Sequence, residues 1–88
     1  MKILLIGDIV GPSGRKAVIE KIKNLKEKKK IDFIIANGEN AADQGVGITE
    51  KITEELLTSG IDVITTGNHV WDQKETMNFI TSQERLLR

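Results

Sequence analysis

Three short aliphatic runs interrupt a chain otherwise rich in charge: Ile3-Leu4-Leu5-Ile6, Phe33-Ile34-Ile35-Ala36, and Val63-Ile64 within Ile61 to Thr66. Continuous apolar runs of this length, rich in β-branched residues, predict strands buried on both faces. Between the first two, Val18, Ile22 and Leu25 recur at i, i+4 and i+7 among lysines and glutamates, which predicts one apolar stripe on a helix. Gly11-Pro12 opens that helix, because proline fits a first turn where its missing N–H would go unpaired anyway. The charged stretch Lys26 to Lys30 is its exposed C-terminal end, where cations complement the helix dipole. A second helix is predicted from Thr49, as N-cap, to Gly60, as C-terminal stop, with Ile52 and Leu56 facing inward. A third is predicted to begin at Asp72, where Asp72-x-x-Glu75 has the form of a capping box, and to continue through Phe79 and Ile80.

The order β-α-β-α-β-α, with strands about 30 residues apart, implies parallel strands joined by right-handed crossovers. The fold class is therefore α/β, three βα units with helices covering the sheet. No internal repeat and no Ser/Pro-rich linker divides the chain, so residues 1–88 read as a single domain. Leu86-Leu87-Arg88 ends on apolar residues, and a three-stranded parallel sheet would leave edges and a helix face uncovered. The expectation is an amino-terminal, truncated portion of a larger domain.

Composition narrows the functional classes. Thirteen Lys+Arg balance 13 Asp+Glu for zero formal net charge, so no general field draws in DNA or an anionic membrane, and any bound anion must be held locally or by metal. The apolar runs fall far short of the roughly 20 residues that span a bilayer. With no cysteine and no signal-peptide pattern, the cytoplasm is the expected location.

The candidate chemistry follows each predicted strand: Gly7-Asp8, then Asn37-Gly38-Glu39-Asn40, then Gly67-Asn68-His69. The C-terminal ends of parallel strands lie along one edge, where ligands bind, so these clusters are expected to converge. Each glycine permits a tight turn and a close approach to the backbone. Singly the residues have blander readings: Asp8 as a turn former or helix cap, the asparagines as left-handed turn residues, His69 as a satisfied surface or core imidazole. Together, Asp8, Glu39, Asn40 and Asn68 supply two carboxylates and two amide oxygens aimed at one crevice. Such oxygen-rich sites suit Mg, Mn or Fe, which also relieve repulsion between the carboxylates. Glu39 is placed to bridge two ions, and two ions need more ligands than these, so further imidazoles are expected from sequence beyond Arg88. A two-metal centre makes hydroxide near neutral pH and neutralises a phosphoryl group in in-line displacement. His69 would then be the general acid.

The first turn, Gly7-x-x-x-Gly11-x-x-Gly14-Arg15, is neither the dinucleotide fingerprint nor a P-loop, which makes a nucleotide-cofactor domain the weaker alternative. Pro12 to Arg15 offer N–H groups to an anion, with Arg15 itself read as a surface ion-pair residue. Trp71 reads as core or pocket wall. Asp43 to Gly47 reads as a surface loop with glycine pivots.

Gly7-Asp8-Ile9-Val10-Gly11, Asn37-Gly38-Glu39-Asn40-Ala41-Ala42, Gly45-Val46-Gly47-Ile48-Thr49 and Thr66-Gly67-Asn68-His69-Val70-Trp71-Asp72 resemble the YmdB-like branch of the calcineurin-like metallophosphoesterases. The resemblance runs through nearly the whole chain. It implies a bacterial cytoplasmic phosphodiesterase acting on a small phosphodiester or cyclic nucleotide such as 2′,3′-cyclic AMP, with His69 as proton donor to a metal-activated hydroxide. It implies two divalent or mixed-valence ions, Fe or Mn before Mg. Asp8 matches a ligand of the first metal, Glu39 the bridging ligand, and Asn40 and Asn68 ligands of the second. Val10 stands where the wider superfamily has a histidine, as is usual in this branch. The implied architecture is the first half of an α/β/β/α sandwich. Three further histidine ligands of the family correspond to nothing in these residues, which keeps a non-catalytic binding or regulatory fragment as the alternative. Homo-oligomerisation is left open.

Overall fold

The structure is a computed structural model that describes residues 1–67, 79–80 and 82–87. Its elements run β1 (Ile3–Asp8), α1 (Gly11–Lys29), β2 (Phe33–Asn37), α2 (Glu50–Ser59), β3 (Val63–Thr65) and β4 (Leu86–Leu87). The strands form one parallel sheet in the order β1-β2-β3-β4. The α/β class and the parallel pairing are as expected.

The second helix keeps its predicted limits because both ends carry their own chemistry. Thr49 Oγ1 accepts the Ile52 N–H at 3.2 Å, satisfying a donor the helix cannot. Gly60, at φ 127°, turns the chain out after Ser59. The first helix begins with Pro12 in its first turn and ends in three lysines, Lys26, Lys28 and Lys29. It closes on Lys30 at φ 53°, ψ 51°, a left-handed position that usually falls to glycine. The third predicted helix lies largely outside the described residues; Phe79 and Ile80, at its expected end, are buried in the core.

Sequential right-handed crossovers across a sheet in strand order place successive helices on the same face. Helices α1 and α2 accordingly meet, with Ile22 against Gly60, and the core lies beneath them. Ile22, Ile34, Ala36, Leu56 and Ile64 are at most 2% exposed, with Leu4, Ile6 and Val18 packed alongside. The expectation that every strand is buried on both faces fails for β1. Leu5 is 72% and Ile3 51% exposed. They share a row with Phe33, Ile35 and Val63 through the register Ile3↔Phe33, Leu5↔Ile35 and Ile35↔Val63. Side chains alternate faces along a strand, so this row points away from the helices, and β1 is also the edge. Position at the edge explains Leu25 as well: the predicted stripe on α1 is deeply buried only at Ile22, and Leu25 borders an open apolar groove between α1 and β1.

A fourth strand was not expected. The Leu86-Leu87 pair adds to β3 with Leu86 inward, and Arg85 anchors it by donating from Nε to the Asp62 carbonyl and from Nη2 to the Ile61 carbonyl, both at 2.8 Å. The Leu86-Leu87 pair is thus sheet.

Candidate functional site

Asp8 reaches the edge of the sheet through an irregularity in β1. Ile6 pairs with Ala36, but the next pair is Asp8 with Asn37, so Gly7 is an extra residue in the strand. A glycine inside a strand commonly marks such a bulge, which bends the strand and re-aims the residues after it. Beyond it, the Ile9 N–H donates to the Asn37 carbonyl at 3.0 Å, keeping the two strand ends together.

The turn after β2 is held by its own side chains. Asn37 Oδ1 accepts the Glu39 N–H at 3.2 Å, while Asn37 Nδ2 donates to Thr65 Oγ1 at 3.3 Å, so one amide shapes the turn and ties it to β3. Gly38 donates its N–H to the Thr65 carbonyl at 2.9 Å and sits so close to the core that a Cβ would lie 2.8 Å from Ile64 Cγ2. Asn37 therefore has the structural role that its residue type suggested, and Gly38 leaves space for protein rather than ligand.

These constraints bring the predicted residues together. Asn40 Nδ2 donates to both Asp8 oxygens, at 3.1 and 3.4 Å, joining residues 32 positions apart in sequence. An ionised carboxylate only accepts hydrogen bonds, so the amide must turn its nitrogen to Asp8 and its oxygen elsewhere. That oxygen, Asn40 Oδ1, is shielded from solvent and has no hydrogen-bond partner among the described residues. Leaving such an acceptor unsatisfied costs on the order of 1–3 kcal/mol.

Glu39 extends the cluster to the third strand. Its carboxylate lies over Gly67, where a Cβ would fall 2.5 Å from Oε2, 2.9 Å from Cδ and 3.1 Å from Oε1. Gly67 is thus a cradle that any larger residue would fill, and Asn68 follows it directly in sequence. Asn68 and His69 themselves lie outside the described residues, as do Trp71 and Asp72.

Asp8 is exposed, while Glu39 and Asn40 are half-buried. Two carboxylates and an orphaned amide oxygen at one sheet edge form a hard, oxygen-only donor set, the kind that Mg, Mn and comparable divalent cations accept. A cation would supply Asn40 Oδ1 with the partner it lacks. Among the described residues no group of three His, Cys, Asp or Glu side chains gathers in metal-holding fashion.

Arg15 is placed differently from expectation. It does pair with Asp43, Nη2 to Oδ1 at 2.8 Å, but its side chain is only 15% exposed against 72% for Asp43. Its Nη1 donates to the Ala41 carbonyl at 2.6 Å. A polar cleft lined by Arg15, Asp43, Gln44, Thr49, Lys51, Ile52 and Glu55 adjoins this ion pair and includes none of Asp8, Glu39 or Asn40. The sequence places Asn37 and Gly67 within the candidate clusters, and the structure gives them supporting roles there, Asn37 shaping the turn and Gly67 making room for Glu39; Arg15 reads from sequence only as a surface ion-pair residue.

With this geometry, the likenesses to known proteins carry weight. A 2′,3′-cyclic-nucleotide 2′-phosphodiesterase of Bacillus subtilis (strain 168) is 53% identical over 88 residues, all of this chain and 33% of the relative. The crystal structure of a phosphatase from Mycoplasma pneumoniae superposes with a TM-score of 0.92 at 34% identity, covering 100% of this chain and 31% of that one. A hypothetical protein from Thermus thermophilus superposes with a TM-score of 0.88 at 35% identity, again over 100% of this chain and 33% of that one. The chain spans about a third of the length of these relatives. No helix among the described residues is long and apolar enough to cross a membrane. The YmdB-like protein family matches residues 4–88, and the chain belongs to that family.

Proposed function

We propose that the protein is a metal-dependent phosphoesterase that hydrolyses phosphodiesters, with 2′,3′-cyclic nucleotides such as 2′,3′-cyclic AMP as substrates. The observation that carries this reading is the buried Oδ1 of Asn40, without a hydrogen-bond partner among the described residues and held beside the Asp8 carboxylate at the same sheet edge as Glu39. Kinship to a 2′,3′-cyclic-nucleotide 2′-phosphodiesterase supports the substrate class.

In this reading Asp8, Glu39, Asn40 and Asn68 would hold two divalent or mixed-valence ions, Fe or Mn. Bound there, the ions supply Lewis acidity and offset the charge of the phosphoryl group. The chain's own residues do the rest. Asp8 and Asn40 fix one wall through their mutual hydrogen bond, and Asn37 fixes the turn that presents Glu39. His69, next to Asn68, gives its proton to the leaving 2′ oxygen, which would otherwise depart as an unstable alkoxide; a placed acid of this kind contributes about 10²–10⁴ in rate. Cytoplasmic residence fits such a substrate.

The second reading is a binding or regulatory module without catalysis, in which the Asp8–Asn40 pair at the strand ends serves binding alone. One experiment separates the two. With Mn(II) supplied, the intact protein is expected to hydrolyse bis-p-nitrophenyl phosphate and 2′,3′-cyclic AMP, and to lose that activity to chelator. His69→Ala should lower kcat by about 10²–10⁴, and Asn68→Ala should lose Mn(II)-dependent turnover. Wild-type rates in both variants would overturn the assignment, and no metal-dependent turnover in the unaltered protein would leave the binding module.

A further inference from the structure

The loop that carries Asn40 is fixed from one side by a residue that touches no candidate ligand. Arg15, on the second turn of α1, sends two nitrogens of its guanidinium into the segment after β2: Nη1 to the Ala41 carbonyl at 2.6 Å and Nη2 to Asp43 at 2.8 Å. The peptide between Asn40 and Ala41 is held by the same helix end, since the Gly11 N–H donates to the Asn40 carbonyl at 2.9 Å. Ala41 and Ala42 are fully buried, and the Ala42 N–H closes the loop onto the Gly47 carbonyl at 2.9 Å. Consecutive carbonyls of Asn40 and Ala41 are therefore both tied to α1, one by backbone and one by a charged fork. A planar guanidinium can hold a carbonyl and a carboxylate at once, which an ammonium group cannot do in the same way.

We propose that Arg15 is a positioning residue for the metal site: by clamping Ala41 and Asp43 it sets the backbone from which Asn40 presents its amide to Asp8 and its bare oxygen to a cation. The inference rests on the reading of Asn40 as a metal ligand. Its mode of action is that of an outer partner that orients a ligand without touching the ion, a role whose loss costs about 10–100-fold in metal affinity. The buried Arg15 Nε, which has no partner among the described residues, fits a side chain committed to the loop through its terminal nitrogens. Sequence alone hid this role because Arg15 reads as an ordinary surface cation on the polar side of a helix.

The test is Mn(II) affinity, measured by titration calorimetry on the intact protein. Arg15→Gln should weaken binding about 10–100-fold, and Arg15→Lys should fall between it and the unaltered protein because a lysine reaches one partner of the two. A core variant remote from the loop, Ile22→Val, gives the comparison for lost stability. It should lower the metal-free melting temperature yet leave Mn(II) affinity within about twofold of the unaltered protein, since additive effects are expected for distant sites. If Arg15→Gln binds Mn(II) as the unaltered protein does, or loses no more affinity than Ile22→Val, the positioning role is overturned while the metal site stands. If the unaltered protein itself binds no Mn(II), the metal reading fails and takes this inference with it.

Discussion

Gly67→Ala isolates the contact between the third strand and the candidate bridging carboxylate. The backbone tolerates the change, because Gly67 is not among the glycines at positive φ. The new methyl would stand 2.5 Å from Glu39 Oε2 and 2.9 Å from its Cδ, against a comfortable separation of about 3.5 Å. Glu39 must therefore retreat by about 1 Å. The atoms that move are the far end of a flexible side chain, so the cost to folding is one strained torsion, about 0.5–1.5 kcal/mol. For ligation the same shift is large, because ligand distances hold to about ±0.2 Å. A displacement of about 1 Å at a reacting centre can cost on the order of 10²-fold in rate. Metal-free urea unfolding and Mn(II) titration, run side by side on the intact protein, should show stability falling by no more than about 1.5 kcal/mol while Mn(II) affinity and phosphodiesterase activity fall by at least tenfold. Unchanged Mn(II) affinity in Gly67→Ala would refute the assignment of Glu39 to the metal.

Three further outcomes test the local arguments, each by urea unfolding with an unchanged denaturant slope. Asn37→Ala removes both the Glu39 N–H and Thr65 Oγ1 partners and should cost about 1–2 kcal/mol; a change under about 0.3 kcal/mol would show that the turn is held by other means. Thr49→Ala removes the cap on the Ile52 N–H and should cost about 1 kcal/mol, while Thr49→Ser should retain most of it. Lys30→Gly relieves a left-handed residue at φ 53° and should stabilise by about 0.5–1 kcal/mol after the greater freedom of the unfolded glycine is counted; a net loss would contradict the strain argument.

The second helix was legible to the residue because Thr49 and Gly60 act locally, one accepting a hydrogen bond three positions on and the other leaving the helix at positive φ. Parallel pairing was legible from the alternation of strands and helices and their spacing, while the strand order came only from the structure. The burial of β1 was not, since an edge strand and a central one have the same apolar composition, and only the topology leaves Leu5 on an uncovered face. Two residues carry too little periodicity to announce β4. The strand-end rule placed Asp8, Glu39 and Asn40 at one edge, where Asn40 donates to Asp8 across 32 positions of sequence. The turn role of Asn37 was legible, since it accepts the N–H two positions on, but its tie to Thr65 and the contact of Arg15 with Ala41 were hidden because those partners lie 28 and 26 positions away, and no local pattern in the chain encodes such a pairing.

The central claim, that these oxygens receive a divalent cation, is tested most directly by anomalous diffraction from crystals of the intact protein grown with Mn(II). Two peaks, one within about 2.0–2.6 Å of Asp8 and Glu39 oxygens and one at the same distance from Glu39 and Asn40 Oδ1, the range for hard divalent cations on oxygen, are the predicted result. A fully loaded crystal in which Asn40 Oδ1 has no metal neighbour and the Mn(II) sits elsewhere would contradict it.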